Sequence, residues 1–193
     1  MSNGQDGAAG GPKGRKRARK ILLCATGAYV AYGLSAQGSE AAVLHVLDTK
    51  TGKAVGPPIS RADYGAPNFS QDGRQLIFSR LQPLKPGMPA TEKYQRSKSY
   101  LMRLGGDAEK ARAIFGVGVP GVQITPAEIP IAVFTPDNRW ILGYVFNGTQ
   151  REVTLYVTPA GPVRAGKAPQ WKRLFGAADE ITGVAYTGDA LYL

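Results

Sequence analysis

Residues 68–80 read "NFSQDGRQLIFSR" and residues 133–146 read "VFTPDNRWILGYVF". In each, a short polar turn (Gln71-Asp72-Gly73 in one, Pro136-Asp137-Asn138 in the other) stands before a run of apolar residues. Asp, Asn and Gly accept the backbone angles of a tight two-strand reversal, so each copy encodes strand, turn, strand. Gly73 aligns with Asn138 at a spacing of 65, and backwards with Gly27 at a spacing of 46. A degenerate further copy, "AYTGDALYL", follows roughly fifty residues later. Units of this size, each a small antiparallel sheet, specify the blades of a β-propeller, with a generic antiparallel sandwich as the alternative. The apolar run after each turn is expected to be the inner strand of its blade, covered on both faces.

The remaining punctuation agrees. Runs such as "AYVAYGLS", "AVLHVLDTKTGKAV", "KSYLMRLGG", "REVTLYVTPAG" and "QWKRLFG" are rich in Val, Ile, Leu and aromatics and are separated by Gly, Pro, Asn and Asp. With 25 Gly and 14 Pro, long helices have little room, and "GDAEKARA" at 106–113 offers a single helical turn. The expected fold is all-β: a partial β-propeller of about three to four antiparallel blades over residues 27–193, preceded by a disordered basic tail over 1–26. Hydrophobic residues at 43% and charged residues at 20% suit a globular core.

The net charge of +10 is concentrated at the start. "KGRKRARK" at 13–20 holds six of the 24 basic residues, and past Lys20 there remain 18 basic against 13 acidic. This run reads as a solvated tail. Its alternatives are a nuclear address, a nucleic-acid patch, or the charged start of a signal peptide continuing into "ILLCATGAYVAYGL". That apolar stretch is too short and too interrupted by Gly to anchor in a bilayer. No aromatic is interleaved with the basic residues, which argues against nucleic acid as partner. A cytoplasmic location is expected in preference to a periplasmic one.

Candidate chemistry fails residue by residue. The one cysteine, Cys24, and one histidine, His45, leave no Cys/His cluster for a metal. Ser35, in "GLSAQG", has Gln37 where a nucleophile elbow needs its second Gly, and no helix follows. His45 lies within a strand and has no carboxylate placed to orient it. "GVGVPG" at 116–121 fits a dinucleotide fingerprint, but Pro126 and Pro130 forbid the helix that would hold a phosphate, so it reads as an inter-blade loop. "NGT" at 147–149 is both a glycosylation sequon and a hairpin turn. Asp179 and Glu180 are adjacent, so in a strand they point to opposite faces and form no acid/base pair. Trp140 and Trp171 read as core. No catalytic residue, metal site or cofactor is expected.

One stretch resembles a known family. Tyr32, Gly33, Leu34, Ser35, Gly38, Ser39 and Glu40, followed by Asp48, Thr51, Gly52 and Lys53, are similar to motifs in the propeller of the prolyl oligopeptidase family. "APNFSQDGRQLIFSRL", "KSYLMRLG", "NGTQREVTLYV" and "GDALYL" continue the likeness in order, from Ala28 to Leu193. The resemblance implies a two-part serine peptidase that cuts short peptides after proline. In it an α/β-hydrolase domain carries Ser, Asp and His, and a seven-bladed propeller covers the active site and restricts substrate size. The implied partners are therefore a catalytic domain or the missing blades, with short peptides as substrate of the complete enzyme and no membrane. The resemblance also points to Tyr64, a few positions before the Asp-Gly turn, as the aromatic that lines the substrate path. Packing between blades is the alternative role for Tyr64. The chain itself lacks the catalytic set, so it is expected to be inactive alone. Bare blade faces and strand edges further lead us to expect self-association, or completion by another polypeptide. The competing reading is an independent binding protein whose basic tail contacts nucleic acid or another acidic partner.

Overall fold

The repeated turn is a closed hydrogen-bonded unit. The Ser70 hydroxyl donates to Asp72 Oδ1 at 2.6 Å and accepts from the Gln75 amide at 3.0 Å. Asp72 Oδ1 also accepts from the Arg74 amide at 3.2 Å, and the Gly73 amide donates to the Ser70 carbonyl at 2.8 Å. In the second copy Thr135 donates to Asp137 Oδ1 at 2.7 Å and accepts from the Trp140 amide at 3.1 Å. The Asn138 amide donates to the Thr135 carbonyl at 2.8 Å. Gly73 and Asn138 occupy the same left-handed position, with φ of 67° and 55°, which Gly and Asn tolerate best. The degenerate copy keeps part of the arrangement: Thr187 Oγ1 donates to Asp189 Oδ1 at 3.0 Å.

The computed structural model describes residues 17–23, 27–35, 41–64 and 66–193. Among them lie four antiparallel sheets. The first has the order β1 (Arg17–Leu23), β2 (Tyr29–Ser35), β3 (Ala42–Asp48). The second runs β4 (Asn68–Phe69), β5 (Gln75–Arg80), β6 (Lys98–Arg103), β7 (Arg112–Gly116), and the third β8 (Ile129–Phe134), β9 (Trp140–Phe146), β10 (Thr154–Pro159), β11 (Lys172–Phe175). A hairpin of β12 (Ala185–Tyr186) and β13 (Leu191–Tyr192) follows. One short helix, α1 (Ala160–Arg164), leaves the end of β10. This is a row of successive propeller blades, two of them four-stranded, and it does not close.

Period-two alternation splits the second and third sheets each between two cores. In β5, Leu76 and Phe78 face the first sheet and join Ala31, Leu44 and Val46, while Ile77 faces the third. In β9, Ile141 and Val145 face back to the second sheet, and Leu142 faces the opposite way with Leu155 and Phe175. A register shift between Ser99 and Tyr100 of β6 sends both Ile114 and Phe115 of β7 into the core between the second and third sheets. There Phe115 meets Tyr156 edge-on and Trp171 at 4.7 Å between ring centroids. The Trp171 indole N–H donates to the Ile114 carbonyl at 2.7 Å, fixing the third blade to the second. Burying each large side chain of this kind contributes about 1.5–3 kcal/mol.

The edge strand β8 has its outward backbone groups met from the second blade. Ser99 Oγ donates to the Pro130 carbonyl at 3.2 Å and accepts from the Ala132 amide at 2.9 Å. Ser79 shares a hydrogen bond with Ser99 at 3.1 Å, and Asn68 Oδ1 accepts from the Phe134 amide at 2.7 Å. Pro130 stands at one of the outward-facing positions of β8, where a missing N–H costs no ladder bond.

Four features differ from the sequence reading. Arg17–Leu23, assigned to the tail, forms β1 against β2, with Ile21 opposite Tyr32 and Leu23 opposite Val30. The stretch offered as a signal-peptide core is thus divided between two strands. Residues 1–16 and 24–26 of that tail lie outside the described residues, as do Gly38, Ser39 and Glu40. The apolar run after each turn is the second strand of its sheet, with hydrogen-bonded neighbours on both sides; the strand leading into the turn, β4 or β8, takes the edge. "REVTLYVTPAG" does not remain extended to its end, because Ala160, Pro162 and Val163 turn into α1 and bury Ala160 and Val163. Asp179 and Glu180 lie in a 3-10 turn over Ala177–Asp179 and its left-handed end, not in a strand. "GDAEKARA" forms its expected single turn, Ala108–Lys110, capped by Asp107.

Two consequences are testable. A Cβ at Gly143, in the middle of β9, would lie 2.6 Å from Phe115 Cζ. Phe115 is fully buried between Tyr156 and Trp171 and has nowhere to move. Gly143→Ala should therefore destabilise the chain by about 1–3 kcal/mol in urea unfolding, whereas Gly161→Ala, which meets open space, should not. The second concerns acid. Asp72 is held down at about 2, first by the Ser70 hydroxyl, with the Arg74 amide and Arg164 adding to it. Its folded value lies below its unfolded one, so its stabilisation is complete above pH ~4 and is lost as pH falls towards ~2. Melting temperature followed from pH 6 to 2 should fall across that window, and Asp72→Asn should flatten the fall.

Candidate functional site

Tyr64 sits at the end of the blades remote from the Asp72 turn. The path to it is fixed by the Ile59–Leu44 bridge and by the Leu81 amide, which donates to the Arg61 carbonyl at 2.9 Å. Asp63 Oδ1 accepts from the Ala42 amide at 2.8 Å, tying the segment to the start of β3. Behind it a buried arginine holds the connection rigid. Arg80 is only 4% exposed. It donates to the Ser60 and Ala108 carbonyls, both at 3.0 Å, and pairs with Glu109. That pairing, with Arg61 nearby, holds the Glu109 carboxyl below its ordinary range.

The half-buried Tyr64 ring faces Tyr94, with centroids 6.1 Å apart and planes tilted by 44°. Tyr94 closes a 3-10 turn over Ala90–Tyr94, carried on the long connection between β5 and β6. Lys93 Nζ lies 4.6 Å from the centre of the Tyr94 ring. Its neighbours Tyr94, Asp63 and Tyr64 raise its pKa. The Arg96 amide donates to the Pro126 carbonyl at 2.7 Å, which fastens this connection to the loop ahead of β8. The result is a wall of two tyrosines with a cation and a carboxylate beside it. Such a wall can hold an apolar ring or peptide side chain by stacking and orient a charged terminus. It holds no nucleophile and base in contact.

The other candidates fall where packing puts them. Ser35 is buried at the end of β2 with its hydroxyl unpaired among the described residues. His45 stacks on Tyr32, its cross-strand partner, at 5.4 Å. Asp179 Oδ2 accepts from the Gly176 amide at 2.8 Å and so closes its own turn. The loop after β7, residues 116–121, contributes Val119 to the core between blades. "NGT" makes the β9–β10 turn. Among the described residues no group of His, Cys, Asp and Glu could hold a metal ion, and no helix is long and apolar enough to cross a membrane. Tyr94 and Lys93 escaped the sequence reading. Their only signal was "EKY" in an unusually long, Pro-rich link between two strands.

The family model for the prolyl oligopeptidase N-terminal beta-propeller domain matches residues 19–193. The chain belongs to the prolyl oligopeptidase family. Among solved structures, the propeller chain is similar to a prolyl endopeptidase studied for inter-domain dynamics in catalysis and specificity. That match has TM-score 0.74 at 18% identity and covers 92% of this chain and 24% of the other. Prolyl oligopeptidase B from Galerina marginata, bound to a 25mer macrocyclization substrate, matches with TM-score 0.68 at 13% identity, over 82% of this chain and 23% of that one. The same enzyme with a 35mer substrate gives 0.70 at 12% identity, over 89% and 24%. This chain thus spans about a quarter of each relative's length. No curated protein matches it. The family match reaches back to residue 19, inside β1.

Proposed function

We propose that this chain is the propeller portion of a prolyl oligopeptidase-type serine endopeptidase. In this reading it gates access of short proline-containing peptides to a catalytic domain supplied elsewhere. The observation that carries the reading is the family match over nearly the whole described chain, joined to an aromatic wall at one end of the blades. Tyr64 lines the substrate path in this proposal, and Tyr94 forms its second face. Selection by size follows from the frame. Residues in stacked blades with buried side-chain hydrogen bonds cannot spread apart to admit a folded protein, whereas a short peptide passes. In this proposal the partner is the α/β-hydrolase domain or the missing blades that close the ring.

Two measurements test the proposal. Alone, the chain should not hydrolyse a proline-containing chromogenic peptide above buffer, and turnover blocked by a serine-directed inhibitor would contradict it. The second places residues 17–193, which include β1, into a prolyl endopeptidase in exchange for the matching quarter. The chimera should cleave short peptides and spare folded proteins. Tyr64→Ala in the chimera should raise KM about five-fold with kcat little changed, the effect of losing one aromatic contact worth ~1 kcal/mol. An unchanged KM would leave Tyr64 a packing residue only.

A further inference from the structure

At the turn end of the blades, opposite Tyr64, a cleft of about 880 Å³ opens between the Asp72 turn, the end of β6 and α1. Its polar lining comes from three separate elements: Asp72, Arg74 and Gln75, then Arg103, then Arg164. Asp72 is its only carboxylate among the described residues, and that carboxylate is already occupied. Oδ1 takes the Ser70 hydroxyl and the Arg74 amide, and Oδ2 takes the Arg164 guanidinium. Arg164 is also held through Nε to Gln75 Oε1 at 2.8 Å, while the Gln75 side-chain amide donates back to the Arg164 carbonyl at 3.1 Å. Its fork is thereby fixed in place with one terminal nitrogen unused. Arg74 and Arg103 are exposed and form no ion pair among the described residues.

We infer that this cleft binds a small anion carrying more than one phosphate-like group. Arg164 offsets the Asp72 carboxylate, and Arg74 and Arg103 leave the cleft net positive. Arginine presents planar paired donors that match oxyanion geometry, which lysine does not. The volume falls within the range of small-molecule sites and exceeds what one carboxylate fills. The inward anchoring of Arg164 supplies a preorganised donor, and Arg74 and Arg103 close on the ligand from two walls. The inference does not depend on the peptidase reading, because the cleft lies at the other end of the blades.

The probe is inorganic tripolyphosphate, titrated calorimetrically into the full chain at low ionic strength, with inorganic phosphate and hexaglutamate as comparisons. We expect saturable one-to-one binding of tripolyphosphate that weakens with salt. Arg74→Gln and Arg103→Gln should each weaken it about tenfold, the loss of one charge-assisted pair of hydrogen bonds. Arg103→Lys, which keeps the charge and loses the fork, should weaken it less. Lys85→Gln, remote from the cleft, should change nothing. Circular dichroism of each variant should match the parent, as these side chains are exposed. The basic run at 13–20 is the competing anion binder. Binding that survives both arginine variants and disappears when Lys13, Arg15 and Lys16 are neutralised would overturn the assignment. So would tighter binding of hexaglutamate, which would make the partner an acidic peptide, and so would no binding at all.

Discussion

The structure depends on how an exposed strand edge is satisfied without a neighbouring strand. β8 lies at the edge of its sheet, and the outward groups of Pro130, Ala132 and Phe134 would otherwise be buried unpaired against the second blade. A buried unpaired backbone group costs about 1–3 kcal/mol. Ser99, Ser79 and Asn68 remove that cost from the side, through hydroxyl and amide groups in place of a ladder. Ser99 accepts from the Ala132 amide, donates to the Pro130 carbonyl and shares a hydrogen bond with Ser79. Two sheets are thereby joined by directional bonds as well as by apolar packing. Their relative angle is fixed, and with it the position of every loop at either end.

The turn aspartates extend the same logic outward. Asp72 and Asp137 each use one oxygen to hold their own turn. The other oxygen accepts from the following blade, from Arg164 in one case and from the Tyr186 hydroxyl at 2.7 Å in the other. Arg139 adds a bond to the Gly188 carbonyl at 3.0 Å. One residue type at one turn position therefore shapes a hairpin and docks its successor. This double duty explains why the motif recurs with Asp kept while its neighbours vary from Gln to Pro and from Gly to Asn. Rigid docking is also what the proposed gating would require, since size selection fails if neighbouring blades part.

Sequence made the local part of this plan legible. Asp-Gly and Asp-Asn announced the turns because the required φ is a property of the residues themselves, and the apolar runs announced strands through their alternation. The boundaries that were missed have non-local causes. β1 is dense in Lys and Arg, so its charges masked a strand whose partner, β2, lies beyond residues 24–26. The strand after each turn reads as the inner strand of its blade because its apolarity suggests cover on both faces. An interior second strand between two neighbours satisfies the same pattern. Tyr64 was reached only through the family resemblance, and its pairing with Tyr94 spans thirty residues of chain that no periodicity links. The cleft at the turn end was equally hidden, because Arg74, Arg103 and Arg164 converge only once three elements are stacked.

Amide hydrogen exchange at β8 is the most direct test of blade-to-blade bonding by side chains. In the parent chain the Ala132 and Phe134 amides should be protected to a similar degree as those inside β9. Ser99→Ala should raise exchange at Ala132 and leave the interior of β9 protected, while Asn68→Ala should do the same at Phe134. Protection unchanged at both amides in both variants would contradict the account, because β8 would then be held against the second blade by apolar packing alone.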